Sequence, residues 1–342
     1  MRRGFFAVLL SLFVCSPLLA ARRRVVGYAN TIVVGGLFSL TGDGETLGRA
    51  SQAALELAAR DLNEELSALG TGEQVKVVLA DTKLTPEGAL AGIQQLAAAG
   101  ASIVIGPQSS AEAAAIRQFA NEHGIILISQ ASTASSLAIA GDNLFRLAPN
   151  DRLEGAALAA LMRADGIDVV VPMWRDDAGN GGLRNSTSTL FAASGGIATS
   201  GVSYAPATTD FTATANALGN AVRAAKSANP SKKIAVFIAA FEEGAAILDR
   251  ARLDPDLTVN WYSGDGLTQS RALLESGAIA SFAVKTKFTA PAVALSEDTR
   301  NRWAPLSAAI EARVGFPPDA FSLSVYDAAM VAVLSSIEAG RP

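Results

Sequence analysis

Apolar positions along this chain change period repeatedly. Residues 31–40 (TIVVGGLFSL) form a short, nearly continuous apolar run, and then Leu47, Ala50, Ala54, Leu57, Ala58 and Leu62 recur at helical spacing across residues 45–66. Residues 74–81 (QVKVVLAD) read as a strand and 86–99 as a helix with proline in its first turn, where its missing N–H is harmless. Residues 102–106 (SIVIG), 110–122 and 125–130 (IILISQ) continue the strand, helix, strand alternation. Strands this apolar are buried on both faces, which predicts a parallel sheet flanked by crossover helices.

Residues 143–149 (NLFRLAP) and Asn150 interrupt the rhythm, and a second series begins. It runs helix 151–163, strand 168–174 (DVVVPMW), helix 183–193, strand 197–204, helix 211–228, strand 233–240 (KIAVFIAA), helix 243–252 and strand 258–263 (TVNWYS). The pattern therefore predicts two successive α/β units with a boundary near Pro149. Residues 281–289 (SFAVKTKFT) break it again, and helices 297–313 and 322–338 finish the chain.

The N-terminal segment is of another kind. Basic Arg2 and Arg3 precede an apolar run over residues 4–21 that ends in Ala20 and Ala21, the layout of a secretory signal. A run of about 18 apolar residues is also just long enough to span a bilayer, so an uncleaved anchor is the alternative. Arg22, Arg23 and Arg24 follow directly, against the positive-inside tendency for an anchor. Arg2-Arg3-Gly4-Phe5-Phe6 looks like a twin-arginine export motif. Cys15 lacks the small preceding residue of a lipoprotein box, and it leaves with the signal if residues 1–24 are removed.

Composition narrows the chemistry. A chain of 342 residues exceeds one ordinary core, in keeping with two units. The net charge of -4 leaves no basic footprint for nucleic acid. One Cys and one His exclude an internal disulfide and a Cys/His zinc site, and His123 sits at a helix end, where it complements the dipole. No metal or organic cofactor is expected. No strand end brings together a nucleophile, a base and an orienting partner, which argues against an enzyme.

Ligands of open parallel sheets sit outside the carboxyl ends of the strands. In the first unit those ends carry Thr41-Gly42-Asp43-Gly44, Gly106-Pro107-Gln108-Ser109-Ser110 and the run from Ser129-Gln130-Ala131-Ser132-Thr133 to Ser136. These are hydroxyls and helix N-terminal amides, suited to a carboxylate. The second unit offers Trp174-Arg175-Asp176-Asp177, Phe241-Glu242-Glu243 and Ser263-Gly264-Asp265-Gly266. Aromatics and acids suit a cationic group with an apolar body, so a zwitterionic amino acid fits between the units.

Those residues, in that order, carry a resemblance. Ser39-Leu40-Thr41-Gly42, Ile105-Gly106-Pro107 with Ser109-Ser110, Gly124-Ile125-Ile126 leading to Gln130-Ala131-Ser132-Thr133, Phe241-Glu242-Glu243-Gly244, Ser263-Gly264-Asp265-Gly266 and Tyr326-Asp327-Ala328 resemble the type I periplasmic binding proteins. Within these the likeness is to the leucine/isoleucine/valine-binding group that serves ABC importers, over roughly residues 30 to 340. The resemblance implies two doubly wound parallel-sheet lobes joined by a multi-strand hinge, closing like a flytrap on a small ligand. Residues 27–148 with 290–342 would form lobe 1, and 149–289 lobe 2. It implies that Ser110, with the backbone of Ala131 and Thr133 and adjacent Ser132, holds an α-carboxylate, that Asp265 takes the α-ammonium, and that Phe241 packs beside the ligand. Trp174 is expected as pocket wall, with Leu47, Gln108, Gln130, Asp177, Gly179 and Glu242 as further candidates.

Three departures from the family pattern stand out. Gly179 falls about where relatives place an aromatic, and Leu47 also replaces an aromatic, so side-chain specificity should not be copied. Relatives continue past the helix ending near Ala339 with strands that complete the second lobe, whereas this sequence stops at Pro342. The implied function is an exported solute-binding protein of the periplasm or outer face, handing its ligand to a membrane permease. A ligand-binding sensor or receptor domain of the same fold is the alternative.

Overall fold

The structure, a computed structural model, describes residues 30–340; the expected signal at 1–24, with Cys15, lies outside them. β1 (Asn30–Phe38) is a nine-residue strand paired on both sides, as its apolar sequence predicts. With β2 (Glu73–Asp81), β3 (Ile103–Ile105), β4 (Ile126–Ser129) and β5 (Leu144–Arg146) it forms a parallel sheet in the order 2-1-3-4-5. The crossovers are α1 (Glu45–Leu69), α2 (Pro86–Ala98) and α3 (Ser110–Glu122). Alternation along β1 sorts its side chains. Ile32, Val34 and Phe38 enter the core shared with α1, while Leu37 packs with α2 and α3 on the other face.

The second half repeats the plan. α4 (Asp151–Ala164) leads to β6 (Val169–Arg175), followed by α5 (Ala178–Ala193), β7 (Ile197–Ala198), β8 (Val202–Tyr204), α6 (Thr212–Ala228), β9 (Ile234–Ala239), α7 (Gly244–Ala251) and β10 (Asn260–Ser263). β6 pairs with β9 on one side and with both β7 and β8 on the other, and β10 closes the far edge, all parallel. Val169, Val171 and Met173 pack under α6 and α7, whereas Val170 packs under α4 and α5. After α8 (Ala272–Glu275) and α9 (Gly277–Lys285) the chain returns, and α10 (Arg300–Val314) and α11 (Ala320–Glu338) join the first half. Leu323, Val325, Ala329 and Val333 of α11 complete the core containing Ile32 and Leu57. Among the described residues the chain thus crosses between the halves after β5 and again before α10.

The structure revises the reading in places. The single strand expected over residues 197–204 is two, because Gly201 at φ +75° turns the chain against the Pro172 carbonyl. Residues 143–149 contain an edge strand, β5, too short to show a period. Ser281 lies inside α9, and Thr289 bridges in parallel to Tyr262. The helix expected from residue 183 begins at Ala178, where the Asp177 side chain accepts from the Asn180 N–H.

One turn fixes the first sheet's working edge. Gly106 leaves β3 with φ +113°, and a Cβ there would lie 2.0 Å from the Leu37 carbonyl oxygen. Gly106→Ala should cost about 2–5 kcal/mol from strain plus forced displacement. The check is a fall in the urea midpoint at unchanged slope.

Candidate ligand-binding site

The C-terminal ends of both sheets open onto one cavity of about 70 Å³. On that measure a water needs roughly 10–15 Å³, so the space holds several. Asp43, Thr46 and Leu47 line it after β1, Gln108 after β3 and Ala131 after β4. Phe241 and Glu242 line it after β9, Asp265 and Ser270 after β10, and residues 316–319, 321 and 322 from the entrance to α11. The first sheet's order reverses between β1 and β3, and the loops after those strands meet here, as expected at a topological switch point.

Helix N-termini converge on the same region, because crossover helices of a parallel sheet start at its C-terminal edge. α3 is capped by Ser109 in a reciprocal box with Glu112, α5 by Asp177, and α11 by Asp319, which accepts from the Ser322 N–H and hydroxyl at 2.8 and 2.7 Å. Their partial positive ends favour carboxylates, and acids crowd them. Asp265 receives no Lys or Arg ion pair among the described residues, and its backbone N–H donates to Glu154 Oε1 at 2.8 Å. Burial, then Asp151 and Asp319, push the Asp265 carboxyl up to about 7. Burial and Asp265 hold Glu154 well above the ordinary range, and burial also raises Asp151 and Asp319. Glu242 is raised by burial and then by Asp43, Glu275 and Glu45, against a hydrogen bond from the Thr46 hydroxyl.

A single cation serves the neighbouring acids. Arg175, 6% exposed at the end of β6, lies 3.1 Å from Asp177, 3.7 Å from Glu243 and 3.9 Å from Asp43 across the interface. The guanidinium also sits 5.4 Å from the Phe241 ring centre. Glu243 accepts a 2.8 Å hydrogen bond from the Tyr204 hydroxyl, yet burial outweighs Arg175 and raises its carboxyl.

Of the candidates, Leu47, Gln108, Ala131, Phe241, Glu242 and Asp265 line the cavity. The Gln108 amide spends both ends on the first half, accepting from Ser39 N–H and donating to Gly44 O. The other candidates do not line the cavity. Ser110 and Ser132 hydroxyls pair at 3.0 Å, and Ser110 also accepts from the Ala134 N–H. Thr133 O accepts from the Asp151 N–H, tying the first half to the start of α4. Gln130 reaches Ser51 at 3.4 Å, and Asp177 holds the Asn180 side chain and Arg175. Gly179 lies against Ser110, where a Cβ would stand 3.5 Å from the hydroxyl. Trp174, expected in the pocket wall, instead stacks under Arg184 at 4.3 Å and does not line the cavity. His123 caps α3 and stacks on Phe119 at 3.9 Å.

Sequence reading placed Arg175 at a strand end without giving it a role, and missed Asp151, Glu154, Ser270 and Asp319 as parts of this region. An arginine ending an otherwise apolar strand was a usable signal, as was Pro317-Pro318-Asp319 before an apolar helix.

Residues 31–339 match the periplasmic binding protein family. The chain belongs to that family. An uncharacterised protein of Methanocaldococcus jannaschii is 27% identical over 316 residues, 90% of this chain and 73% of that one. The leucine-binding protein of Thermotoga maritima superposes with a TM-score of 0.71 at 22% identity, covering 91% of this chain and 84% of that one. A solute-binding protein of an ABC transporter from Rhodopseudomonas palustris, in complex with 3,4-dihydroxybenzoic acid, gives 0.69 at 16% identity, covering 91% and 82%. The α/β fold with parallel sheets is that of the type I members.

Arg175 generates a test of this periplasmic binding protein's electrostatics. Arg175→Met keeps the stem's apolar bulk and strands the Asp177 and Glu243 carboxylates, at a cost of about 3–5 kcal/mol. Adding Glu243→Gln should recover part of that loss in a double-mutant cycle of denaturant midpoints. Equal stability of Arg175→Met and parent would refute the ion-pair account.

Proposed function

We propose that this protein is the exported solute-binding component of an ABC importer, without catalytic turnover. It holds an amino acid or related amine-bearing molecule between hinged lobes formed by residues 27–148 with 290–342 and by residues 149–289. One observation carries the reading: acids from both halves line the cavity, Asp43 and Asp319 from one, Glu242 and Asp265 from the other, and the lining includes no Lys, Arg or His. Closure brings like charges together and strips their water, so the empty closed state is penalised. A cationic group touching both halves supplies the missing counter-charge and favours closure by its differential contacts. An aromatic acid would add to the repulsion.

Asp265 takes the ammonium in this reading, with Phe241 and Leu47 beside the apolar body. The anion end falls to the start of α3, where Ser110 and Ser132 would re-partner toward a carboxylate alongside the Ala131 and Thr133 backbone. The closed, loaded form is then presented to the permease.

Asp265→Asn should weaken an amine-bearing ligand about 10–100-fold in calorimetry, the scale of one hydrogen bond to a charged group. Undiminished affinity would remove Asp265 from the ammonium role. The same carboxyl sets a pH dependence. Its value is about 7 in the folded protein against 3.8 ordinarily, so folding takes up a proton between the two. The stability it contributes is full below the lower value and is lost as pH rises through the upper. A bound cation prefers the ionised form, so affinity should strengthen as pH rises toward neutrality and then level off. Ligand-induced thermal shifts should be larger at about pH 8 than at about pH 5.

A further inference from the structure

The acids around the cavity fall into two groups with separate surroundings. Asp265 faces Asp151, Asp319 and Glu154, whereas Glu242 faces Asp43, Glu45 and Glu275. One amino group answers only the first set. The Glu242 backbone N–H donates across the interface to Asp43 O at 3.4 Å, so this second set also straddles the two halves. No Lys or Arg pairs with Glu242 among the described residues, and its hydrogen bond comes from the neutral Thr46 hydroxyl. Asp43, half exposed at the rim, has only a 3.9 Å approach to Arg175, which is already shared with Asp177 and Glu243. Apolar wall from Leu47, Phe241, Phe316 and Phe321 completes the cavity.

A further polar group points to a ligand independently of the acids. Ser270 lines the cavity, is 5% exposed, and its hydroxyl has no hydrogen-bond partner. A buried hydroxyl left unpaired costs about 1–3 kcal/mol, which a polar ligand atom would offset.

We propose that the solute carries two cationic centres on an aliphatic body, one held at Asp265 and the other at Glu242 with Asp43. This rests on the solute-binding reading and narrows its ligand class to basic α-amino acids or aliphatic diamines. A neutral side chain such as leucine's would leave Glu242 desolvated without a counter-ion, while a basic one supplies it.

The test is calorimetry on the full chain with L-lysine, L-norleucine, 1,4-diaminobutane, L-leucine and benzoate. Lysine and norleucine share a backbone and chain length and differ in the terminal ammonium, so the comparison needs no variant. Lysine or diaminobutane should bind at least about tenfold more tightly than norleucine and leucine. Glu242→Gln should cut the lysine or diaminobutane affinity about tenfold or more and leave norleucine bound as tightly as before or more tightly, since it removes the carboxylate a neutral chain leaves unpaired, with the variant's thermal midpoint confirming the fold. Lysine ahead of diaminobutane assigns an amino-acid carboxylate to the ligand; the reverse assigns a diamine. Leucine or norleucine binding as tightly as lysine would overturn the second cationic centre and leave the amine-binding function standing. Benzoate alone binding, or none of the five, would overturn both.

Discussion

Carboxyl groups that lose water when two halves of a protein meet must find a partner, a proton or a ligand, and the region between these sheets turns on that constraint. Asp151 and Asp319 act on Asp265, and Asp265 and Asp151 on Glu154, at one part of the interface, while Asp43 acts on Glu242 at another. The helix N-termini that converge there contribute fractional positive charge, which explains why acids are tolerated in first turns. Burial nonetheless raises each of Asp151, Glu154, Asp265 and Asp319 above the ordinary carboxylate range. The free energy of this arrangement consequently depends on what occupies the gap.

The two halves are prepared for this differently. On the first, polar side chains are consumed in holding loops still: Gln108 ties Ser39 to Gly44, Ser129 hydroxyl donates to Pro107 O, and Asp81 accepts from the Leu40 N–H and Thr41 hydroxyl. Such satisfied networks give a rigid wall. On the second, Arg175 gathers Asp177 and Glu243 and reaches across to Asp43, so a single guanidinium links β6, the start of α5, the loop before α7 and the opposing half. A hydrogen-bonded wall thus faces a charged one across the cavity, and in the proposed reading ligand charge biases closure of the two.

The alternation of strands and helices was legible because strands buried on both faces, such as residues 31–38 and 234–239, leave unbroken apolar runs. The elements that escaped were three-residue strands and bends, β5 and the break at Gly201, where neighbours rather than period decide the conformation. Around the cavity, Leu47 came from the family resemblance, whereas the strand-end rule pointed to Asp43, Gln108, Ala131, Phe241, Glu242 and Asp265 because those loops are fixed by topology. It could not find Asp319 or Ser270, which come from an incoming helix cap and a loop beyond a short turn, or distinguish Trp174, whose strand position places it under Arg184. Ser110 shows a further limit: a hydroxyl suited to a ligand is equally suited to Ser132 and the Ala134 N–H, and sequence does not weigh the two.

Gly179 and Leu47 stand where the family resemblance implies aromatics. A Cβ added at Gly179 would stand in ordinary contact with Ser110 at 3.5 Å, and Leu47 puts an aliphatic side chain into a wall that also carries Phe241, Phe316 and Phe321. A pocket walled by rings ranks apolar side chains by shape, and one methylene is then worth only about 1–3 kcal/mol. A wall carrying desolvated carboxyls ranks ligands by charge instead, since a neutral occupant leaves each acid without its counter-ion. In the proposed reading the acids set among the remaining rings therefore shift selection away from discrimination among hydrocarbons and toward discrimination by the number and placement of positive charges.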